Sequence, residues 1–340
     1  MRYTIVGAGA IGGTLGAYMA RAGEDVTFVD ADRAHVAAMR ERGLTIRGYK
    51  ETFTVPARAF TPEEAPGPVE ALLLAVKAQH TEAALGAIVD RLAPDGFVVS
   101  LQNGLCEDVI RQIVGAERTV GCFVNFSADY LEPGLVHYGS EGALYLGELD
   151  GAMSDRLQAL GRAFAHWGPV RLTDNIWGYL WAKMGYANML FMTATVDATM
   201  ADVIDRYRPL AAELAAEIYD VAEREGVRLE AFDAIDPSMY HPRGRDPREV
   251  DASFDRLTAW QRTSEKQKSG IWRDLAVRHR PTEVDVQIGR AALIGARHGL
   301  AMPLTRRLVD IIHDLEQGRR AMSWDNVEEL ERLRRGEGRA

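Results

Sequence analysis

The chain has 340 residues, of which 47% are hydrophobic and 26% charged, and its formal net charge is -9. This composition is typical of a globular protein with room for two domains, and it excludes a disordered chain. The acidic excess disfavours nucleic acid as the main partner, because phosphate binding needs a basic face. No apolar run approaches the roughly 20 residues that span a bilayer, so we expect no membrane partner.

The only two cysteines, Cys106 and Cys122, lack the spacing of metal ligands. We therefore expect no metal site, and thiols that stay reduced. Met1 runs directly into an apolar strand, without the basic and apolar segments of a signal peptide. The expected location is the cytoplasm.

The first 60 residues are predicted to form strand, glycine turn, helix, strand and helix. Apolar runs predict strands at Tyr3–Val6 and Val26–Val29, and Gly23 ends the helix between them. A second helix over Ala34–Arg42 precedes a small hairpin at Leu44–Val55. Two wholly apolar runs, expected to be strands covered on both faces, follow a little later. These runs are Ala71–Val76 and Phe97–Leu101.

A helix around Thr81–Leu92 separates the two apolar runs, and this alternation predicts a parallel sheet. Three later segments are strand-like and are expected to finish that sheet. They are Thr119–Phe126, Leu135–Tyr138 and Ala143–Leu146.

From Ile176 onward helical periodicity dominates, with a polar loop expected at Asp236–Arg248. The predicted helices are Trp177–Ala198, Arg208–Glu225, Val286–His298 and Leu304–Gln317. We place the boundary near Leu172–Asn175, which gives a Rossmann domain over 1–173 and a mainly helical domain over 174–340. The fold class is therefore α/β, and the second domain is expected to bind substrate and could form a homodimer.

The motif Gly7-Ala8-Gly9-Ala10-Ile11-Gly12 lies between the first strand and its helix. In this context Gly7 permits a tight turn, Gly9 lets a pyrophosphate approach the backbone, and Gly12 lets helix and strand pack closely. The helix N-terminus offers backbone N–H groups to the anion. The motif predicts dinucleotide binding; a glycine turn without a ligand is the alternative.

Asp30 ends the second strand, where an acidic side chain accepts hydrogen bonds from the adenosine ribose. A carboxylate at this position would repel the additional phosphate of NADP, although Arg33 could partly counter it. The residues alone therefore favour NADH. A solvated loop carboxylate is the alternative for Asp30.

Four further motifs bring a resemblance to the ketopantoate reductase (2-dehydropantoate 2-reductase) family. The motifs are Val76-Lys77-Ala78, Leu101-Gln102-Asn103-Gly104, Trp181-Ala182-Lys183-Met184 and Pro281-Thr282-Glu283-Val284-Asp285. The resemblance implies an NADPH-dependent oxidoreductase of pantothenate biosynthesis. Its substrate would be an α-keto acid such as ketopantoate, reduced to the 2-hydroxy acid.

The resemblance also assigns roles to residues. It places the catalytic lysine at Lys183, the substrate-binding glutamate at Glu283, and cofactor-side residues at Lys77 and Asn103, of which Asn103 could also contact substrate. An ammonium beside the carbonyl would stabilise the oxyanion formed by hydride transfer, and a carboxylate such as Glu283 could keep it charged. The alternatives are that Lys183 snorkels at a helix surface, that Glu283 is only a carboxylate favoured at a helix start, and that Asn103-Gly104 is an ordinary turn.

The chain departs from the family where asparagines usually follow the lysine by four and eight residues. Here those positions hold Ala187 and Phe191. Asn188 points about 140° away from the lysine on an ideal helix, at about 100° per residue, and Tyr186 could compensate. Ser269 could replace the substrate-binding serine of the family. The candidate substrate contacts are therefore Tyr186, Asn188 and Ser269.

A cationic cluster could bind the substrate carboxylate or could be a solvated face. Its members are Arg273, Arg278, His279 and Arg280. Two other functions stay open: a dinucleotide-binding sensor without catalytic activity, and a β-hydroxyacid or opine-type dehydrogenase, which shares the domain pairing.

Overall fold

The computed structural model describes residues 1–241, 243–264 and 266–337. The chain divides into two compact units, Met1–Ile176 and Trp177–Ala340. Among the described residues, no helix combines the length and the apolar character that crossing a bilayer requires.

The first unit contains an eight-stranded sheet. Across the sheet, the strands are β12 (Arg171–Leu172), β11 (Leu144–Glu148), β8 (Thr119–Val124), β7 (Leu92–Ser100), β6 (Val69–Leu74), β1 (Arg2–Val6), β2 (Asp25–Val29) and β5 (Arg58–Phe60). Neighbours from β8 to β5 are parallel, and β11 is antiparallel to β8. From β5 to β8 the order is that of the doubly wound dinucleotide-binding fold, which confirms the predicted fold class.

The buried parts of the central strands are mainly apolar because both of their faces are covered. Ile5, Leu73 and Val99 of three adjacent strands have no exposed surface. The helices of this unit are α1 (Ala10–Arg21), α2 (Arg33–Arg42), α3 (Thr81–Gly86), α4 (Glu107–Val114) and α5 (Asp155–Phe164). The expected helix over Thr81–Leu92 was too long, since α3 stops at Gly86 and Leu92 already belongs to β7.

A second, four-stranded sheet lies in the same unit, in the order β4 (Phe53–Val55), β3 (Leu44–Gly48), β10 (Leu135–Ser140) and β9 (Ser127–Glu132). The expectation that Leu135–Tyr138 would finish the main sheet was therefore wrong. A tight turn at Gly134, with φ of +79°, folds β10 back on β9. The other edge of β10 pairs in parallel with β3, and Val136 lies opposite Ile46.

The second unit is helical. Its elements are α6 (Ile176–Thr193, whose first residue closes the first unit), α7 (Met200–Arg206), α8 (Arg208–Arg224), α9 (Pro247–Thr263), α10 (Gly270–Ala276), α11 (Arg290–Arg297), α12 (Pro303–Glu316) and α13 (Trp324–Arg334). The helix expected over Trp177–Ala198 is broken after Thr193, because the Thr199 side chain caps a new helix by accepting from the backbone N–H of Asp202. A π-helical turn, Asp285–Gly289, precedes α11.

Candidate functional site

The glycine motif forms a tight turn between β1 and α1. Gly7 has φ of +94°, and a Cβ added there would lie 2.8 Å from the carbonyl carbon of Ala75. A Cβ on Gly12 would lie 2.2 Å from the Gly7 oxygen, whereas a Cβ on Gly9 would meet no atom within 4 Å. Packing therefore requires Gly7 and Gly12, while Gly9 faces open space.

The N-terminus of α1 has the features of an anion site. Gly9 is its N-cap residue, and no side chain caps this helix end. Its first turn therefore offers backbone N–H groups and the positive end of the helix dipole to a ligand. The small side chains of Ala8 and Ala10 and the half-buried Ile11 leave the approach open. The turn fits the pyrophosphate of a dinucleotide.

Asp30 lies at the end of β2 beside this turn. One of its carboxylate oxygens accepts from the Ala8 N–H at 2.8 Å, and the other accepts from the Asp32 N–H at 2.9 Å. Each carboxylate oxygen has a second lone pair, so ribose hydroxyl groups can still be bound. Arg33, the first residue of α2, is exposed.

Lys77 follows β6, the neighbour of β1, and Asn103 follows β7, the next strand across the sheet. Val6 pairs with Leu74 and Leu74 with Ser100, so β1, β6 and β7 end at the same sheet edge. The structure therefore brings the loops that carry Lys77 and Asn103 to the edge that holds the glycine turn. Lys77 is half-buried and Asn103 is exposed.

Gln102, so far only a member of the Leu101–Gly104 motif, also belongs to this edge. Its amide nitrogen donates to the Val76 carbonyl and to the Thr81 hydroxyl, both at 2.9 Å. It therefore ties the loop after β7 to the loop after β6. In the sequence, Gln102 could have been identified as a polar residue that directly follows the apolar run Phe97–Leu101 and precedes Asn103.

Lys183 lies on α6 in the second unit. The helix is largely buried, and Tyr179, Lys183 and Leu190 form a half-buried stripe at intervals of four and seven residues. The flanking residues Trp181 and Met184 are buried. The structure thus keeps an ammonium group at the partly accessible face of an apolar helix.

Glu283 is buried, with 7% of its surface exposed, and lies two residues before the π-helical turn. The neighbouring Thr282 donates from both its backbone N–H and its hydroxyl to one carboxylate oxygen of Glu316, each at 2.7 Å. Such π-turns are frequent at functional sites, and buried carboxylates are usually paired. The backbone that carries Glu283 is thereby held to the end of α12.

The three candidate substrate contacts differ in their surroundings. Tyr186 is buried, and its hydroxyl accepts from the Gln261 amide at 3.1 Å. Burial raises the pKa of Tyr186 to about 12, so its hydroxyl stays protonated at neutral pH. Ser269 is buried as well, and it caps α10 by accepting from the Trp272 N–H. Its hydroxyl proton can still be donated.

Asn188 is fully buried. Its amide nitrogen donates to the Leu214 carbonyl in α8 and to the Thr305 hydroxyl in α12, both at 2.8 Å. These contacts join α6 to α8 and α12 through the amide nitrogen.

The cationic cluster contains an internal counter-charge. Asp274 has 2% of its surface exposed and accepts from Arg278 at 3.2 Å and from Arg280 at 2.9 Å. Arg278 and Arg280 are therefore paired with a buried carboxylate.

One group within the described residues has metal-ligand chemistry: Asp220, Glu223 and His241. The His241 Nε2 atom lies 3.1 Å from an Asp220 oxygen and 3.3 Å from a Glu223 oxygen, and Arg243 pairs with the other Asp220 oxygen. Burial alone would raise the pKa of Asp220, but hydrogen bonds from His241 and Arg243 outweigh burial and lower it. The three side chains therefore form a hydrogen-bonded network that includes Arg243.

Comparison with known proteins identifies relatives along both units. The family model of ketopantoate reductase PanE/ApbA matches residues 3–151, and the model of its C-terminal domain matches residues 175–316. A 2-dehydropantoate 2-reductase from Mesorhizobium japonicum is 30% identical over 256 residues, which covers 67% of this chain and 78% of the relative.

Solved structures agree with this similarity. The 2-dehydropantoate 2-reductase from Geobacter metallireducens has a TM-score of 0.79 at 26% identity, covering 92% of this chain and 99% of that one. A D-mandelate dehydrogenase solved with NADH and anilino(oxo)acetate has a TM-score of 0.80 at 23% identity, covering 94% and 99%, and shares the fold.

Proposed function

This chain belongs to the ketopantoate reductase family, and from that premise we propose that it reduces an α-keto acid to the 2-hydroxy acid with a preference for NADH. The observation that carries the proposal is Lys183, a half-buried ammonium on an apolar helix, in the same unit as the buried carboxylate of Glu283. A 2-dehydropantoate 2-reductase from Mesorhizobium japonicum is among its relatives, so ketopantoate is the first substrate to test.

The cofactor would lie on the glycine turn, with Lys77 and Asn103 at the same sheet edge. When bound, the nicotinamide supplies the hydride. The turn binds the pyrophosphate through backbone N–H groups, and Gly9 leaves the space that this approach needs. The cationic Lys77 side chain and the Asn103 amide would hold the part of the cofactor nearer the reaction.

Lys183 would stabilise the negative charge that develops on the carbonyl oxygen and then donate a proton to it. Glu283 would keep this ammonium charged and hold it in position, because a nearby carboxylate favours the protonated form of an amine. Ser269 and Tyr186 each carry a hydroxyl that could bind the substrate.

The preference for NADH follows from the charges at the end of β2. Asp30 and Asp32 both follow β2, and Arg33 is the only cation among residues 30–33. Ribose hydroxyl groups can donate to Asp30, whereas the additional phosphate of NADPH would be repelled.

A Lys183→Ala variant tests the catalytic role. We expect turnover to fall by about 100-fold or more, as for the loss of a general acid or oxyanion donor, with NADH affinity kept. Lys50→Ala is the control: it removes an exposed lysine that pairs with Glu141 at 3.2 Å, and it should leave turnover unchanged. Equal rates in Lys183→Ala and wild type would refute the assignment.

A comparison of NADH and NADPH over a panel of 2-keto acids tests cofactor and substrate together. The panel should include ketopantoate and keto acids with aliphatic and aromatic side chains, because Ala187 and Phe191 offer no hydrogen bonds to substrate hydroxyls. A wild-type preference for NADPH would contradict the Asp30 argument. Cofactor binding without turnover on any keto acid would favour the sensor function. Sedimentation of the same samples would test the predicted homodimer.

A further inference from the structure

The peptide groups on both sides of Ala8, in the middle of the glycine turn, are held by side chains. Ala8 has no exposed surface. Its N–H donates to Asp30 at 2.8 Å, and its carbonyl oxygen lies 2.9 Å from the Nε2 atom of His35. Two side-chain contacts therefore restrain the backbone of the turn on both sides of Ala8.

The hydrogen bonds of His35 determine its tautomer. The backbone N–H of Gly134, in the β9–β10 turn, donates to Nδ1 of His35 at 2.9 Å. Because Nδ1 is the acceptor, the ring proton lies on Nε2, which therefore donates to the Ala8 carbonyl. The imidazole thus joins the second sheet to the glycine turn.

The imidazole is confined on several sides. It is 1% exposed, and the Tyr130 ring meets it edge-on with centroids 5.1 Å apart. The Tyr130 hydroxyl donates to Asp32, whose side chain also caps the helix α2 that carries His35. The ring therefore has little freedom to leave the Ala8 carbonyl.

Holding this carbonyl orients the next peptide group. The Ala8 C=O and the Gly9 N–H belong to one planar trans peptide, so they point in opposite directions. A carbonyl directed at His35 turns the Gly9 N–H away from the imidazole. Gly9 is the N-cap of α1 and adjoins open space, which is where the pyrophosphate would lie.

We propose that His35 is a positioning residue for the cofactor: its Nε2–H bond to Ala8 preorganises the glycine turn for the pyrophosphate. This inference rests on the proposed function, since it assumes a dinucleotide on the turn. It adds a residue that touches neither the cofactor nor the substrate.

Two substitutions each remove one of the two hydrogen bonds that the His35 ring makes. The amide nitrogen of glutamine overlies Nε2 of histidine, so His35→Gln keeps the donor to Ala8 and loses the contact to Gly134. The amide oxygen of asparagine overlies Nδ1, so His35→Asn keeps the contact to Gly134 and loses the donor to Ala8. Each variant breaks one buried hydrogen bond, and we expect similar losses in melting temperature.

Cofactor affinity should differ between the two variants. In a fluorescence titration with NADH, His35→Asn should bind about 3- to 10-fold more weakly than wild type, which corresponds to one hydrogen bond. His35→Gln should bind nearly as well as wild type, and so should the control His166→Gln, which alters an exposed histidine of the same unit. In turnover assays the loss should appear in the KM for the cofactor rather than in kcat.

Equal affinity in the Asn and Gln variants, whether both are weakened or both unchanged, would overturn the positioning role of His35. Binding of neither NADH nor NADPH by the wild-type protein would instead refute the proposed function. The two failures are therefore distinguishable.

Discussion

Glu107 allows a test of how a buried carboxyl group affects the folding stability of the first unit. It lies in the first turn of α4 and is fully buried, and neither carboxyl oxygen has a hydrogen-bond partner of normal geometry among the described residues. Burial raises its pKa from the ordinary 4.5 to about 8, and the nearby Ser100 hydroxyl and backbone groups only partly oppose this shift. At neutral pH the folded protein therefore carries a protonated Glu107.

The raised pKa makes stability fall as pH rises. Below pH 4.5 the carboxyl is protonated in both the folded and unfolded chain, so its pKa shift has no effect. Between pH 4.5 and about 8 only the unfolded chain releases the proton, which costs about 1.4 kcal/mol of folding stability per pH unit. At pH 7 the cost is about 3 kcal/mol.

Replacement of Glu107 by Gln removes this cost while keeping the shape of the side chain. In urea unfolding at pH 4.5, 5, 6, 7 and 8, we expect the variant to gain stability over wild type steadily, by about 3 kcal/mol more at pH 7 than at pH 4.5. Asp108→Asn is the matched control on the next residue. It removes a carboxylate that pairs with Arg111 at 2.7 Å near a helix N-terminus, and it should lose about 0.3–1 kcal/mol. A difference between Glu107→Gln and wild type that does not change with pH would refute the reasoning.

Three further predictions concern other contacts. Gly12→Ala should destabilise the first unit and abolish NADH binding, because its Cβ would overlap the Gly7 oxygen. Gly9→Ala should fold normally, since its Cβ would meet no atom, yet bind NADH more weakly. Thermal melts and NADH titrations of the two variants check both expectations. Glu217→Ala should lower stability by about 1–3 kcal/mol in urea unfolding, because Glu217 is the acceptor for two buried backbone N–H groups at the start of α12; unchanged stability would contradict this. Glu316→Ala should reduce turnover with little change in NADH affinity, because Glu316 holds the segment next to Glu283, and Glu316→Gln, which keeps an acceptor, should retain more activity.

Local pattern predicted those elements whose formation depends mainly on nearby residues. The glycine motif, the apolar runs of β1, β6 and β7 and the fold class followed from periodicity and turn chemistry. The motif around Lys183 and Glu283 indicated the family, which the comparisons confirm. The end of α6 at Thr193 was missed, because the helical pattern continues across the break and only the Thr199 cap marks the new helix.

The sequence by itself predicted the first strand, the glycine turn with its helix, the apolar strands β6 and β7 and the family motifs, because these depend on spacing along the chain. Only the tertiary structure decided that β10 pairs with β3, that Asn188 donates to the Leu214 carbonyl, and that His35 and Asp30 contact the peptides around Ala8. The physical reason is that each of these contacts joins residues distant in sequence. No periodicity encodes such a contact until the chain has folded.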